Sequence, residues 1–346
     1  MRYNYSIKPN PPAPFPDTFA ALTGNGERVG DWKGEKESCS SAMVSLVRSL
    51  RIVGKGVGGL GHRRKNEMIP TLTDLQILTP EQHSQFERDG FLILRGFYSP
   101  EETAAIRDAF MAQNADGPVP GMSEINPNYQ PEDPLAFYPR MMHPHTHPEH
   151  SVGPVAMRYM LDSRIAPVLH DLFGEEAVAV QSMFYFKPPK ARGQELHQDN
   201  FYLRVKPATC MAAWLAVDDA DEENGGMKVV PGSHKLEIFC PGQADLSHSF
   251  TGDYVPAPEG MAAVPITLNA GDMLFFNGSL IHGSYPNRSE DRFRRAFICH
   301  YAPRHAEAMS QSYNSKYTFD GAFFDGIAPT TDGGPCGISE DTLAVH

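Results

Sequence analysis

The sequence predicts a mainly β fold, a barrel or jelly roll preceded by helices. Three observations predict it. From residue 178 onward, short apolar runs alternate with Gly- and Pro-bearing turns, at 178–187, 195–203, 210–217, 227–230, 263–268, 272–276, 280–284 and 294–301. That spacing is typical of an all-β sandwich or barrel. Upstream, two capping boxes mark helix starts. Finally, 346 residues at 41% hydrophobic suffice for one all-β domain of roughly 250 to 280 residues with additional sequence at its ends.

The chain opens on a different kind of sequence. Residues 1–67 carry 11 Lys+Arg against 6 Asp+Glu, a net of +5, so the remaining 279 residues carry −12 − 5 = −17. Prolines crowd positions 9–16 and glycines 54–61. This composition, without a period, predicts a disordered extension, with a short basic amphipathic helix over 43–53. Acidic residues (Asp17, Glu27, Asp31, Glu35, Glu37) argue against a transit peptide. The functional protein is expected to begin near Met68, giving an extension over 1–67 and one domain over 68–346.

Within that domain, Thr79-Pro80-Glu81-Gln82 starts a helix that stops at Gly90. Phe91–Leu94 reads as a buried strand. Ser99-Pro100-Glu101-Glu102 starts a second helix, through about Met111. Residues 115–150 are rich in Pro, Asn and Gly and read as a long functional loop. A single helix is expected over 152–172, ending at Gly174. The His143–His150 tract is broken by prolines and reads as a solvated or lid loop more readily than as a metal site. His234 reads as a loop histidine after the Pro231-Gly232 turn. Loop 235–260, with Phe239, Phe250 and Tyr254, is a second candidate lid. The aromatics of 305–346 are expected to pack over the barrel or form an interface.

Composition excludes several functions. A net charge of −12 argues against nucleic-acid binding, which needs a basic face. No apolar run approaches the ~18 residues of a membrane span. Five cysteines without CxxC spacing fit reduced, buried thiols in a cytoplasmic protein better than a disulfide frame. The tail Leu343-Ala344-Val345-His346 is not a peroxisomal address.

The chemistry concentrates at His197-Gln198-Asp199, followed 85 residues later by His282 and then by Arg294. Two imidazoles and a carboxylate form a facial triad that leaves positions open on Fe(II) for a co-substrate and O2. In a strand, residues i and i+2 share a face, so His197 and Asp199 are expected to point inward together, with Phe201 on the same parity. Arg294 can grip a carboxylate through two parallel hydrogen bonds. Alone, a His-x-Asp is more often structural; the later His282-Gly283-Ser284 and the strand context favour the metal.

Ordered blocks then carry a resemblance. They are Gln181 to Pro188, Leu196-His197-Gln198-Asp199, Trp214 to Asp219, Glu223-Asn224-Gly225-Gly226, Val230 to His234, Gly271 to Phe276, Ile281 to Ser284, and Phe293-Arg294-Arg295-Ala296. The chain resembles the phytanoyl-CoA dioxygenase family of Fe(II)/2-oxoglutarate oxygenases over roughly 75–304. The resemblance implies a double-stranded β-helix, a jelly roll, flanked by N-terminal helices. It also implies Fe(II) held by His197, Asp199 and His282. Arg294 would grip the far carboxylate of 2-oxoglutarate, with Ser284 supporting it and Trp214 packed near it. Arg294 lies one residue later than the family's usual spacing, which makes Arg292 and Arg295 the fallback anchors.

The activity implied is hydroxylation of a C–H bond of a small organic substrate, with O2 consumed and succinate and CO2 released. Asp199 keeps the position that halogenases of this kind leave to chloride. Two rivals are a cupin-like metal enzyme using no keto acid and a non-catalytic jelly-roll binding module. The first does not need Arg294 and Ser284, and the second does not need the triad. The expected partner is a small molecule, chosen by loops 115–150 and 235–260. The sequence leaves oligomeric state open.

Overall fold

The structure, a computed structural model, describes residues 77–330 except 128, together with 334, 336 and 337. The extension expected over 1–67 and its helix over 43–53 lie outside the described residues.

In chain order the elements are α1 Pro80–Asp89, β1 Phe91–Leu94, α2 Pro100–Gln113, α3 Pro134–Phe137, β2 Met141–Met142, α4 Val152–Met160, α5 Ile165–Phe173, β3 Ala177–Tyr185, β4 Gln194–His197, α6 Asn200–Leu203, β5 Met211–Ala216, β6 Met227–Val229, β7 Gly242–Gln243, β8 Asp253–Tyr254, β9 Val264–Pro265, β10 Met273–Asn277, β11 His282–Ser284, β12 Ala296–Pro303, β13 Ala308–Met309 and β14 Ala328–Pro329. Both capping boxes form: Thr79 with Gln82, and Ser99 with Glu102. Gly90 ends α1 at φ 82° and Gly174 ends α5 at φ 75°, left-handed positions that cost a glycine little.

Two antiparallel sheets make the jelly roll that the sequence predicts. The larger runs β1-β10-β5-β12-β3-β2 and the smaller β4-β11-β6-β9. The space between them is filled from both sides, by Trp214, Leu274, Phe276 and Ile298 of the larger sheet and Met227 and Val229 of the smaller. The alternate residues of the larger sheet (Phe184, Leu215, Phe275, Phe297, Tyr301) face the helices and pack with Ile106, Phe110, Val152 and Leu169. The Phe110 and Phe184 rings stack at 4.1 Å. With helices on one face and the smaller sheet on the other, every residue of β5 is buried, which explains its unbroken apolar sequence.

Three expectations are corrected. The helix expected over 152–172 is two helices, because the Asp162 side chain accepts the Arg164 backbone N–H at 2.9 Å and competes with the helical ladder. The strand expected over 195–203 stops at His197, and α6 follows; Asp199 has helical φ −59°, ψ −37°. Phe201 consequently packs among Leu203, Val205 and Cys210, away from any site. Finally, Cys240 and Cys336 form a disulfide across 96 residues, a pairing that local spacing cannot reveal. Cys210 and Cys299 are free and buried as expected, and Cys39 lies outside the described residues. The disulfide removes the cysteine argument for a reducing cytoplasm. No helix among the described residues is long and apolar enough to cross a membrane.

The C-terminal aromatics pack on the domain as expected. Tyr317 exchanges backbone hydrogen bonds with Ala179 at 2.8 and 2.9 Å, and Phe319 stacks on Tyr301 at 5.7 Å.

Candidate metal centre

The smaller sheet positions the two histidines. β4 and β11 pair with His197 directly opposite His282, and their ring centroids lie 4.3 Å apart. Asp199 reaches the same point by a different route: the chain leaves β4 and turns into α6, swinging the carboxylate back. Its Oδ1 then lies 3.5 Å from His197 Nε2 and 3.5 Å from His282 Nε2. Convergence thus comes from the strand-to-helix turn and not from strand parity. All three residues are buried, and their ligand atoms fall within one metal-sized cluster.

Backbone contacts fix the imidazoles. His197 Nδ1 lies 2.8 Å from Glu195 O and His282 Nδ1 2.9 Å from Leu280 O. Carbonyls only accept, so each Nδ1 carries the hydrogen and each Nε2 presents a lone pair inward. The Gln194 amide nitrogen, 3.2 Å from His197 Nε2, agrees with that tautomer. Burial lowers the His282 pKa to about 4, partly opposed by Asp199. Burial also works against ionising Asp199, but the facing His282 and His300 and the hydrogen bond from His300 hold its carboxyl well below the usual range. A neutral His282 imidazole and an ionised Asp199 are protonation states that a divalent metal requires.

His300, absent from the sequence reading, completes the arrangement. Its Nε2 donates to Asp199 Oδ2 at 2.9 Å, turning Oδ1 toward the two histidines. Strand parity held the clue: Arg294, Ala296, Ile298 and His300 alternate toward one face.

The same cavity is lined by Trp214, Ser284 and Arg294. Arg294 is 2% exposed. Burial lowers its pKa to about 10, so it stays cationic. Its guanidinium carbon sits 5.3 Å over the Trp214 ring, a cation–π contact. Only its Nε–H is engaged by a protein acceptor among the described residues, donating to Gly225 O at 2.9 Å. The fallback arginines are already paired: Arg292 with Asp221 and Glu223, at 2.8 and 2.6 Å, and Arg295 with Asp218 at 2.7 Å.

Lys187 is the second residue that the sequence reading missed. It is buried, and its Nζ donates to Ser284 Oγ (2.7 Å), Tyr285 O (2.5 Å) and Gly225 O (3.3 Å). Burial, with Arg294 and Lys228 nearby, pushes its pKa well down. Because Ser284 Oγ accepts from Lys187, its own O–H remains available to a ligand. The packing demands a glycine at 225: a Cβ there would lie 2.7 Å from Lys187 Cδ, and its φ is 89°.

Both long loops reach one wall of this cavity, at Tyr185. Arg140 Nη1 donates to Tyr185 Oη at 2.8 Å and pairs with Glu124 at 2.8 Å, while Phe250 lies 6.3 Å from the Tyr185 ring. The His143–His150 tract divides. His145 is buried, its Nδ1 lying 2.7 Å from Ser182 Oγ, His143 is half-buried beside it, and His147 and His150 are partly exposed. His234 is a loop residue as expected, in the short helical turn Ser233–Lys235.

Comparison with known proteins agrees with this architecture. The model of the phytanoyl-CoA dioxygenase family matches residues 86–296. The chain belongs to the phytanoyl-CoA dioxygenase family. It is 27% identical over 240 residues to phytanoyl-CoA dioxygenase 1 of Oryza sativa subsp. japonica, covering 61% of this chain and 85% of that protein. It is 27% identical over 285 residues to the peroxisomal phytanoyl-CoA dioxygenase of Mus musculus, covering 77% and 81%. Among solved structures, the non-heme alpha ketoglutarate dependent carbocyclase SnoK from nogalamycin biosynthesis shares the fold, with TM-score 0.54 and 22% identity over 69% of this chain and 88% of that one. Membership places the chain among the iron- and 2-oxoglutarate-dependent oxygenases.

Proposed function

We propose that the domain expected over 68–346 hydroxylates a C–H bond of a small organic substrate, using Fe(II), 2-oxoglutarate and O2, with release of succinate and CO2. The single observation that carries this reading is the convergence of His197, Asp199 and His282 beside a buried arginine that lacks a carboxylate partner among the described residues. The donor set fits iron: two neutral imidazoles and one carboxylate on one side leave the other side open. When bound, iron and the keto acid supply the oxidising chemistry.

The chain's own residues do the rest. Glu195 O and Leu280 O hold the imidazole tautomers, and His300 holds Asp199 with one oxygen facing the histidines. Arg294 and the Ser284 hydroxyl offer donors to the far carboxylate of the keto acid. Lys187 keeps that hydroxyl in place, and Trp214 walls the anchor. The sheets and the Tyr185 wall exclude water from the reacting centre. Retention of Asp199 supports hydroxylation over halogenation. The buried Arg294, unpaired with any carboxylate among the described residues, favours this reading over a cupin-like enzyme without a keto acid, and the complete triad favours it over a binding module.

The test is anaerobic. Fe(II) and then 2-oxoglutarate are added to metal-free protein, and a weak visible charge-transfer band is sought. A band lost in His197→Ala supports the reading. Bound iron with no band overturns the keto-acid part, and absence of iron binding overturns the whole.

A further inference from the structure

A second cluster of metal-ligating side chains lies outside the catalytic cavity. His147, Glu149 and His150 offer ligand atoms all within 4.8 Å of one another. The sequence makes the prolines of this tract look disruptive, but the structure gives Pro148 the opposite role. The His150 N–H donates to His147 O at 3.1 Å, closing a β-turn with Pro148 at its second position. Proline pre-sets the backbone angle that position needs. The turn is pressed onto the start of α4, where a Cβ on Gly153 would lie 2.1 Å from His147 O. The three side chains are therefore brought together by a backbone that packing holds in place.

Their polar geometry suits an ion. Glu149 Oε1 stands 3.0 Å from His147 Nδ1 and 3.9 Å from His150 Nε2. Tetrahedral bonds of about 2.1 Å place ligand atoms about 3.4 Å apart, and the two observed distances bracket that value. The far nitrogen of His150 is also supported: its Nδ1 lies 3.4 Å from the Gln113 amide, whose other end meets Ser151 Oγ at 3.0 Å. A half-turn of that amide keeps both contacts and offers its oxygen to the His150 Nδ1–H, leaving the Nε2 lone pair for a metal.

We propose that His147, Glu149 and His150 form a second divalent-metal site, separate from the triad, which takes a borderline ion such as Zn2+, Co2+ or Ni2+ with water completing the shell. Two imidazoles and one carboxylate select such ions over Mg2+ and Ca2+.

The experiment is a Zn2+ titration of the metal-free full chain against a chromophoric chelator. The variants are His197→Ala, the double variant His147→Ala/His150→Ala, and Glu149→Gln, with identical metal-free circular dichroism melts confirming the fold. The wild type should bind one equivalent more than the double variant, and that equivalent should persist in His197→Ala. Glu149→Gln should weaken it at least tenfold. A double variant that binds Zn2+ with wild-type stoichiometry and affinity overturns the proposal, as does loss of this equivalent in His197→Ala alone.

Discussion

Replacing Arg294 with Ala removes a buried cation whose one protein acceptor among the described residues is Gly225 O and whose face lies on Trp214. Gly225 O keeps Lys187 as a donor, so the backbone around the site retains a partner. What is lost is the charge-assisted grip on the keto acid's far carboxylate. Truncating one partner of a buried, hydrogen-bonded charge pair costs about 2–5 kcal/mol. At about 1.4 kcal/mol per tenfold, 2-oxoglutarate should bind roughly 30- to 4,000-fold more weakly while iron stays bound. The assay is titration of the anaerobic charge-transfer band in the Fe(II) protein, with iron content measured alongside. Arg292→Ala and Arg295→Ala are the controls, because their side chains already pair with Asp221, Glu223 and Asp218. If Arg294→Ala binds the keto acid within about threefold of wild type, or if a control shows the large loss instead, the anchor is misassigned.

Lys187→Met keeps the apolar stem of the side chain out to Cε and removes the donor to Ser284. We expect KM for 2-oxoglutarate to rise about tenfold, the value of one or two hydrogen bonds, with iron content unchanged; an unchanged KM would reduce Lys187 to a packing residue. Burial, with His300 and His147 nearby, lowers the His143 pKa to about 4, and burial, with His143 nearby, lowers that of His145 to about 3. Their folded pKa values lie below the unfolded one, so the unfolded chain takes up protons first. Stability should fall as pH drops from about 6.5 toward 4, by on the order of 3 kcal/mol for His143 alone; denaturant unfolding of His143→Phe should show a correspondingly smaller loss over that range, and an unchanged loss would refute the assignment. Non-reducing peptide mapping should find Cys240 joined to Cys336. The disulfide should stabilise by at most about 4.7 kcal/mol, the chain-entropy value for a loop near 100 residues; free thiols at both positions would refute the pairing.

Much was legible in the sequence because it is written in local rules. Capping boxes, helix-ending glycines and alternating strands placed α1, α2, β1 and the strands of both sheets other than β2, which lies in the stretch read as a loop. The candidate ligands His197, Asp199 and His282 and the candidate anchor Arg294 stood out because ligand chemistry restricts residue types. His300 was legible in principle by strand parity. The rest depended on contacts between residues distant in sequence. Lys187 meets Ser284 across 97 positions, and nothing local marks a lysine as buried. Cys240 finds Cys336 only because the tail returns to loop 235–260. Asp199 reaches the histidines through a turn that strand parity did not predict. Pro148 looked like a break and acts as a hinge pin because α4 presses on the turn behind it. Local pattern determined which residues could do chemistry and which elements would carry them. Tertiary packing decided which of them meet, because burial and convergence are properties of the folded chain and not of any window of sequence.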